Sequence, residues 1–152
     1  MTAFISEERA DSPDAVSLVA ELDEYLIPLY PIEAHYGYDV DKLLREGVVF
    51  FVLRVDGVPA GCGGVQLFGS EYAEVKRMFV RPAFRGQGLA KLMLNHLVDY
   101  VRAQGMGVLR LETGVRQPEA IGLYEQFGFS RIERFGDYRE GPYNVFYEKP
   151  LT

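Results

Sequence analysis

Cysteine is nearly missing from this 152-residue chain. Cys62 stands alone, so no internal disulfide can form, and a reduced, cytoplasmic setting is the economical expectation. Histidine is scarce as well, with two residues, His35 and His96. Two histidines and one cysteine, far apart, make no metal-ligand cluster, so no metal is expected. No apolar run comes near the ~20 residues that cross a bilayer, and no membrane partner is expected. The opening MTAFISEERADSPD has neither a basic flank nor an apolar core, so no signal peptide is expected. Repeats, low-complexity stretches and linkers are lacking, and the length is that of one domain, expected over residues 1–152. Positive charge is in deficit: 16 Lys and Arg stand against 22 Asp and Glu, a net −6. That balance argues against a nucleic-acid partner.

What is present is concentrated between Val75 and Asn95, VKRMFVRPAFRGQGLAKLMLN. Val75 to Val80 is β-branched and aromatic, as a buried strand should be. Pro82 ends it, having no N–H for a ladder. RGQGLA, Arg85 to Ala90, then opens an apolar helix. Glycines before a helix N-terminus let the backbone approach an anion, and the free N–H groups and helix dipole supply positive potential. The turn therefore reads as a phosphate or pyrophosphate cradle. Charge is uneven in the same sense. From Glu74 to Lys91 five basic residues (Lys76, Arg77, Arg81, Arg85, Lys91) face one acid, a local +4 that leaves −10 elsewhere. Lys76, Arg77 and Arg81 serve either that patch or an ordinary solvated face. No Gly-Lys-Ser/Thr follows the turn, which excludes a P-loop. Lys91 occupies the third glycine position of a dinucleotide fingerprint, which makes a Rossmann site a poor match.

Along the chain, Thr2 to Glu8 reads as an edge strand. Ser12-Pro13-Asp14 starts a helix, with a Ser cap, Pro in the first turn and an acid beside it. Val16, Val19, Leu22 and Leu26 carry that helix to about Tyr30. Pro31 to Asp39, PIEAHYGYD, is polar and aromatic enough to be a substrate lid, or a plain surface loop. A short helix covers Val40 to Arg45. Val48 to Val55 is a strand, Asp56-Gly57 a hairpin turn, and Val58 to about Phe68 the return strand. Cys62, within GCGG, reads as a small core residue rather than a nucleophile. Glu71 to Val80 is the third strand of the meander. The helix from Gly88 to Gln104 carries apolar residues at 89, 92, 93, 97, 100 and 101. His96 on it reads as a flank or core histidine. Val108 to Thr113 is a strand parallel to the one before the helix, through a right-handed crossover. Gln117 to Phe127 is a helix, and Phe129 to Glu133 and Tyr143 to Lys149 form a last strand pair.

Two motifs combine. Arg85, Gly88 and Ala90 fit Arg/Gln-x-x-Gly-x-Gly/Ala. Residues 117–129, QPEAIGLYEQFGF, fit Asn-x-x-Ala-x-x-Leu-Tyr-Glu-x-x-Gly-Phe at every position but the first, where Gln117 replaces Asn. With the element order, the chain resembles the GNAT N-acetyltransferase superfamily over nearly its whole length. The resemblance implies an α/β (α+β) GNAT fold: a mixed twisted sheet of about six to seven strands, an antiparallel N-terminal meander, a splayed parallel pair and about four flanking helices. It implies acetyl-CoA as co-substrate, with its pyrophosphate on Arg85, Gly86, Gln87, Gly88, Leu89, Ala90 and Lys91. It sets the pantetheine along Met78, Phe79 and Val80, with Gln117 and Ala120 beside it. Tyr124 matches the tyrosine beside the thioester sulfur and is the expected general acid. Homodimers are common in that superfamily and are a further expectation.

An amine acceptor poses a separate demand. An alkyl amine of pKa ~10.4 costs about 4.6 kcal/mol to deprotonate at pH 7, which a carboxylate base would offset. Glu74 is the expected base, or else a partner of Lys76 or Arg77. Strict two-residue alternation would put it on one face with Lys76, Met78 and Val80. Glu112 and Thr113, at the carboxyl end of the neighbouring strand, face acceptor or acetyl group, or serve the structure. Tyr30, Glu33, His35 and Tyr138 complete the expected acceptor side. The expected acceptor is a small primary amine. A peptide or protein amine, another acyl-CoA donor, or a CoA sensor without turnover are the alternatives.

Overall fold

The computed structural model describes residues 2–35 and 38–151. Seven strands form one sheet: β1 (Ala3–Glu8), β2 (Val49–Val55), β3 (Val58–Phe68), β4 (Tyr72–Val80), β5 (Val108–Gly114), β6 (Ser130–Ile132) and β7 (Asn144–Pro150). Their order across it is β1-β2-β3-β4-β5-β7-β6. Among the described residues four α-helices flank it: α1 (Pro13–Leu26), α2 (Val40–Arg45), α3 (Leu89–Ala103) and α4 (Pro118–Gln126). The expected elements are all present. The first helix stops at Leu26, and a 3-10 turn over Ile27–Leu29, with Pro28 in it, carries the chain on to Tyr30.

Two apolar layers sandwich the sheet. On one face α3 buries Leu89, Met93, Leu94, Leu97, Val98 and Val101 against Phe51, Leu53, Val65, Ala73 and Val75, and Tyr124 of α4 joins them. Full burial of such side chains is worth roughly 1.5–3 kcal/mol each, so the turn that opens α3 is firmly seated. The buried stripe includes Leu94 and Val98, whereas Leu92 faces out at 42% exposure. His96 packs edge-on against Phe51, centroids 4.6 Å apart. On the other face α1 and α2 bring Leu18, Val19, Leu22 and Leu43 onto Phe50, Val52, Cys62 and Phe79. Burial pushes the Cys62 thiol up to about 12, and it donates to the Arg77 carbonyl at 3.3 Å.

Two irregularities in β4 create the site. The first is its pairing with β5, the sheet's parallel pair. Only Ala73↔Leu109 and Glu74↔Arg110 are in register, although the strands run on to Val80 and Gly114. Beyond them the strands splay. β5 stays paired on its other edge with β7 through all seven positions, Val108↔Pro150 to Gly114↔Asn144. The second is a bulge. The β3–β4 register passes from Gly64↔Lys76 to Cys62↔Phe79, and Arg77 has φ +53. An extra residue in one strand resets its alternation. Ala73, Val75, Met78 and Val80 therefore pack on the α3 face and Phe79 on the α1 face. The expectation that Glu74 shares a face with Met78 and Val80 is overturned: the bulge between them inverts the alternation.

Candidate active site

The wedge between the splayed strands is a cavity of about 310 Å³. Its walls come from β4 (Val75 to Met78), β5 (Leu111 to Gly114), the end of α1, Tyr30, Ala34, His35 and Tyr38, Gln117 and Tyr124 of the last helix region, and Tyr138 and Tyr143. Of the expected acceptor-side residues, Tyr30, His35, Glu112, Thr113 and Tyr138 line it. Glu33 does not: it is exposed and borders a separate shallow pocket with Arg139 and Tyr143. Tyr36, within the expected lid, lies outside the described residues.

Glu112 and Tyr124 both line the wedge. Burial pushes the Glu112 carboxyl up to about 7, the nearby charge of Glu74 adds to this, and Asn144 and Lys76 oppose it. Burial pushes the Tyr124 phenol up to about 12, and the Glu112 charge adds to it.

Glu74 is placed differently from Glu112. It is 2% exposed and does not line the wedge. Its Oε2 accepts from Lys76 Nζ at 3.0 Å and from the Tyr138 hydroxyl. Lys76 also donates to the Tyr138 oxygen at 3.1 Å and lies 4.0 Å from the centre of the Tyr38 ring. This cluster ties the 133–143 loop to β4, and burial with the Glu74 charge holds the Tyr138 phenol far above its ordinary range.

The mouth is built around Tyr30. Its hydroxyl donates to Gln117 Oε1 at 3.2 Å and accepts from the Arg116 N–H at 3.0 Å. Gln117 Oε1 also accepts from the Gly114 N–H at 3.2 Å. A Cβ on Gly114 would sit 1.9 Å from that hydroxyl, so a side chain there would displace Tyr30. His35 Nε2 donates to the Tyr30 carbonyl at 2.8 Å. The Gln117 amide therefore joins the last helix to the mouth.

The Gly-rich turn follows β4, between the 3-10 turn Pro82–Phe84 and α3. Gly86 and Gly88 have φ +80 and +75, the left-handed region that costs most residues ~1–2 kcal/mol. Gly88 caps α3 with no side-chain hydrogen bond, so backbone N–H groups face outward there. The expected basic patch is reduced by pairing. Lys76 is bound to Glu74, Arg77 Nη2 to Asp23, and Arg81 Nε to Glu21 at 2.9 Å. Arg85 and Lys91, both exposed, stand at the turn itself. Arg85 Nε donates to the Val80 carbonyl at 3.2 Å, and its guanidinium lies 5.6 Å from the Tyr25 ring centre. Among the described residues no three His, Cys, Asp or Glu are grouped to hold a metal, and no helix is long and apolar enough to cross a membrane.

Sequence reasoning missed Arg77 as a wall of the wedge. The signal for Arg77 was the GCGG run opposite it, since glycines inside a strand often mark a bulge.

Comparison with known proteins extends the geometry. Residues 8–129 match the model of the Acetyltransferase (GNAT) family. The chain is 40% identical over 148 residues to a protein named IAA acetyltransferase from Azospirillum brasilense, covering 97% of each. It is 33% identical over 138 residues to the uncharacterized N-acetyltransferase YsnE of Bacillus subtilis (strain 168), covering 90% of this chain and 91% of that one. A provisionally named acyl-CoA N-acyltransferase of Klebsiella pneumoniae superimposes with a TM-score of 0.85 at 30% identity, covering 99% of both chains.

Proposed function

This chain belongs to the GNAT acetyltransferase family, and on that premise we propose that it moves an acetyl group from acetyl-CoA to a primary amine of a small molecule, by direct attack in a ternary complex. Acetyl-CoA, when bound, supplies the acyl group as an activated thioester. The residues present suit it. The left-handed Gly86 and Gly88 leave an open turn with donors for a pyrophosphate, flanked by Arg85 and Lys91. The edge of β4 beyond Glu74 has no β5 partner, so its backbone groups are available to pantetheine amides as an added strand would use them. A freed N–H near Phe79 or Val80 polarises the acetyl carbonyl, a role typically worth ~2.7–4 kcal/mol.

The observation that carries the reading is Glu112, a cavity carboxyl held near 7. A base is most effective when its pKa lies close to the working pH. Glu112 takes the proton of the incoming ammonium, the amine nitrogen bonds to the acetyl carbon, and the carbon–sulfur bond breaks as the nitrogen loses its second proton, which restores the Tyr124 phenol once that has protonated the thiolate. Tyr124, still protonated because its pKa is raised, gives its hydrogen to the departing thiolate. Glu74 holds Lys76 and Tyr138 in place instead of taking the proton. Cys62 takes no part, because burial keeps its thiol protonated.

The size of the wedge, at the low end of small-molecule sites, and the relative named IAA acetyltransferase support a small acceptor. The test is acetyl-CoA-dependent release of free CoA thiol against amino acids, polyamines, aminoglycosides, arylamines and short peptides. Release that needs a small amine, and that falls in Glu112→Gln and Tyr124→Phe, is the expected result. Release with peptides alone would move the acceptor to protein amines.

A further inference from the structure

Arg77 sits where a strand should have turned it away. The bulge at its own position, with φ +53, puts it on the α1 face beside Lys76 and into the wall of the wedge. A left-handed backbone at a non-glycine residue is strained, and such strain clusters at functional sites. The side chain is 5% exposed. A guanidinium carries five N–H donors in a rigid fork. Both hydrogen bonds of this one leave Nη2, to the Val19 carbonyl at 3.3 Å and to Asp23. Its Nε is buried with no partner. Arginines buried for structure alone have their donors filled, because an unfilled charged donor is costly. Asp23 lies at the rim with 42% of its side chain exposed, so the pair fixes one edge of the fork and leaves the rest.

We propose that the acceptor amine carries a carboxylate and that the Arg77 guanidinium receives it, with the amine facing Glu112 across the splay; this rests on the small-amine reading above. The other cation of the wall, Lys76, is held by Glu74 and Tyr138. A carboxylate suits the donors that Nη2 leaves over, because a charged acceptor makes a charge-assisted hydrogen bond about twice as strong as an uncharged one. The substrate class is therefore amino acids and related amine-carboxylates, in preference to amines of the same skeleton without the acid.

Matched pairs test this: tyrosine with tyramine, tryptophan with tryptamine, lysine with cadaverine, histidine with histamine. Each is offered to the full chain with acetyl-CoA, and kcat/KM is compared within the pair. The wild type is expected to prefer the member bearing the carboxylate next to the amine by at least about tenfold in one or more pairs. Arg77→Gln should collapse that ratio toward one, mainly through KM, and Arg77→Lys should keep part of it. Should the variants fold poorly, calorimetry on the CoA-loaded wild type decides: the N-acetylated acid should bind at least about tenfold tighter than its decarboxylated twin. Equal or better use of the decarboxylated members overturns the carboxylate assignment and leaves the transferase reading standing. No turnover of any member, with acetyl-CoA still bound, overturns both.

Discussion

Lys76 Nζ lies 3.0 Å from Glu74 Oε2, with the lysine 6% and the glutamate 2% exposed. An ion pair this deep is a structural commitment. Removing one partner leaves a bare charge away from water, at a typical cost of about 3–5 kcal/mol. Glu74→Ala is therefore expected to lose about that much stability in urea denaturation and to loosen the loop that Tyr138 anchors. A variant as stable as the wild type would show that the pair holds nothing.

Glu112 predicts the opposite sign for stability. Its carboxyl moves from an ordinary value of 4.5 to about 7 on folding, chiefly through burial. The folded chain thus binds this proton more tightly than the unfolded chain. The resulting stability is complete below about pH 4.5 and is lost as pH rises through about 7, on the order of 3 kcal/mol. Glu112→Gln should match the wild type near pH 4.5 and exceed it at pH 8 in melting temperature. The same variant should be a poorer enzyme, and wild-type kcat/KM should fall about tenfold per pH unit well below 7. Equal melting temperatures at pH 8 would place this carboxyl in an ordinary environment.

Tyr124 is expected to act through its hydroxyl rather than its ring. Tyr124→Phe keeps the packing against Phe129, centroids 5.7 Å apart. It should lower kcat by about 10²-fold, as loss of a general acid does, with little change in the KM for the amine. A kcat within twofold of wild type would give proton delivery to another group.

Arg85 and Arg81 are four residues apart and should behave differently. Arg85 stands exposed at the Gly-rich turn, whereas Arg81 is joined to Glu21 and to the Pro59 carbonyl. Arg85→Ala should weaken acetyl-CoA binding about three- to tenfold in calorimetry, less so in high salt. Arg81→Ala should lower the melting temperature and leave that affinity near wild type. The reverse pattern would move the phosphate contact to Arg81.

Much of the fold could be read from the residues. β-branched and aromatic runs marked strands, the Asp56-Gly57 turn joined two of them, and proline and glycine placed the helix ends. The Gly-rich turn and the 117–129 motif carried the family, because both are short-range patterns in which backbone requirements dictate residue type. What the sequence could not decide was the partner of each charge. Glu74 and Glu112 are both strand carboxylates, one on each side of the splay, and nothing in their neighbours separates them. The tertiary structure does so by distance. Lys76 and Tyr138 close on Glu74, while Glu112 is left in the wedge with a carboxyl that burial raises. The bulge at Arg77 was equally out of reach, since alternation is a local rule and its break depends on the register taken across β3. Residue type and spacing determined which elements form and which backbone turn can take an anion. Packing of segments far apart in the chain decided which carboxylate is tied and which cation still has donors, because desolvation and pairing are properties of neighbours in space.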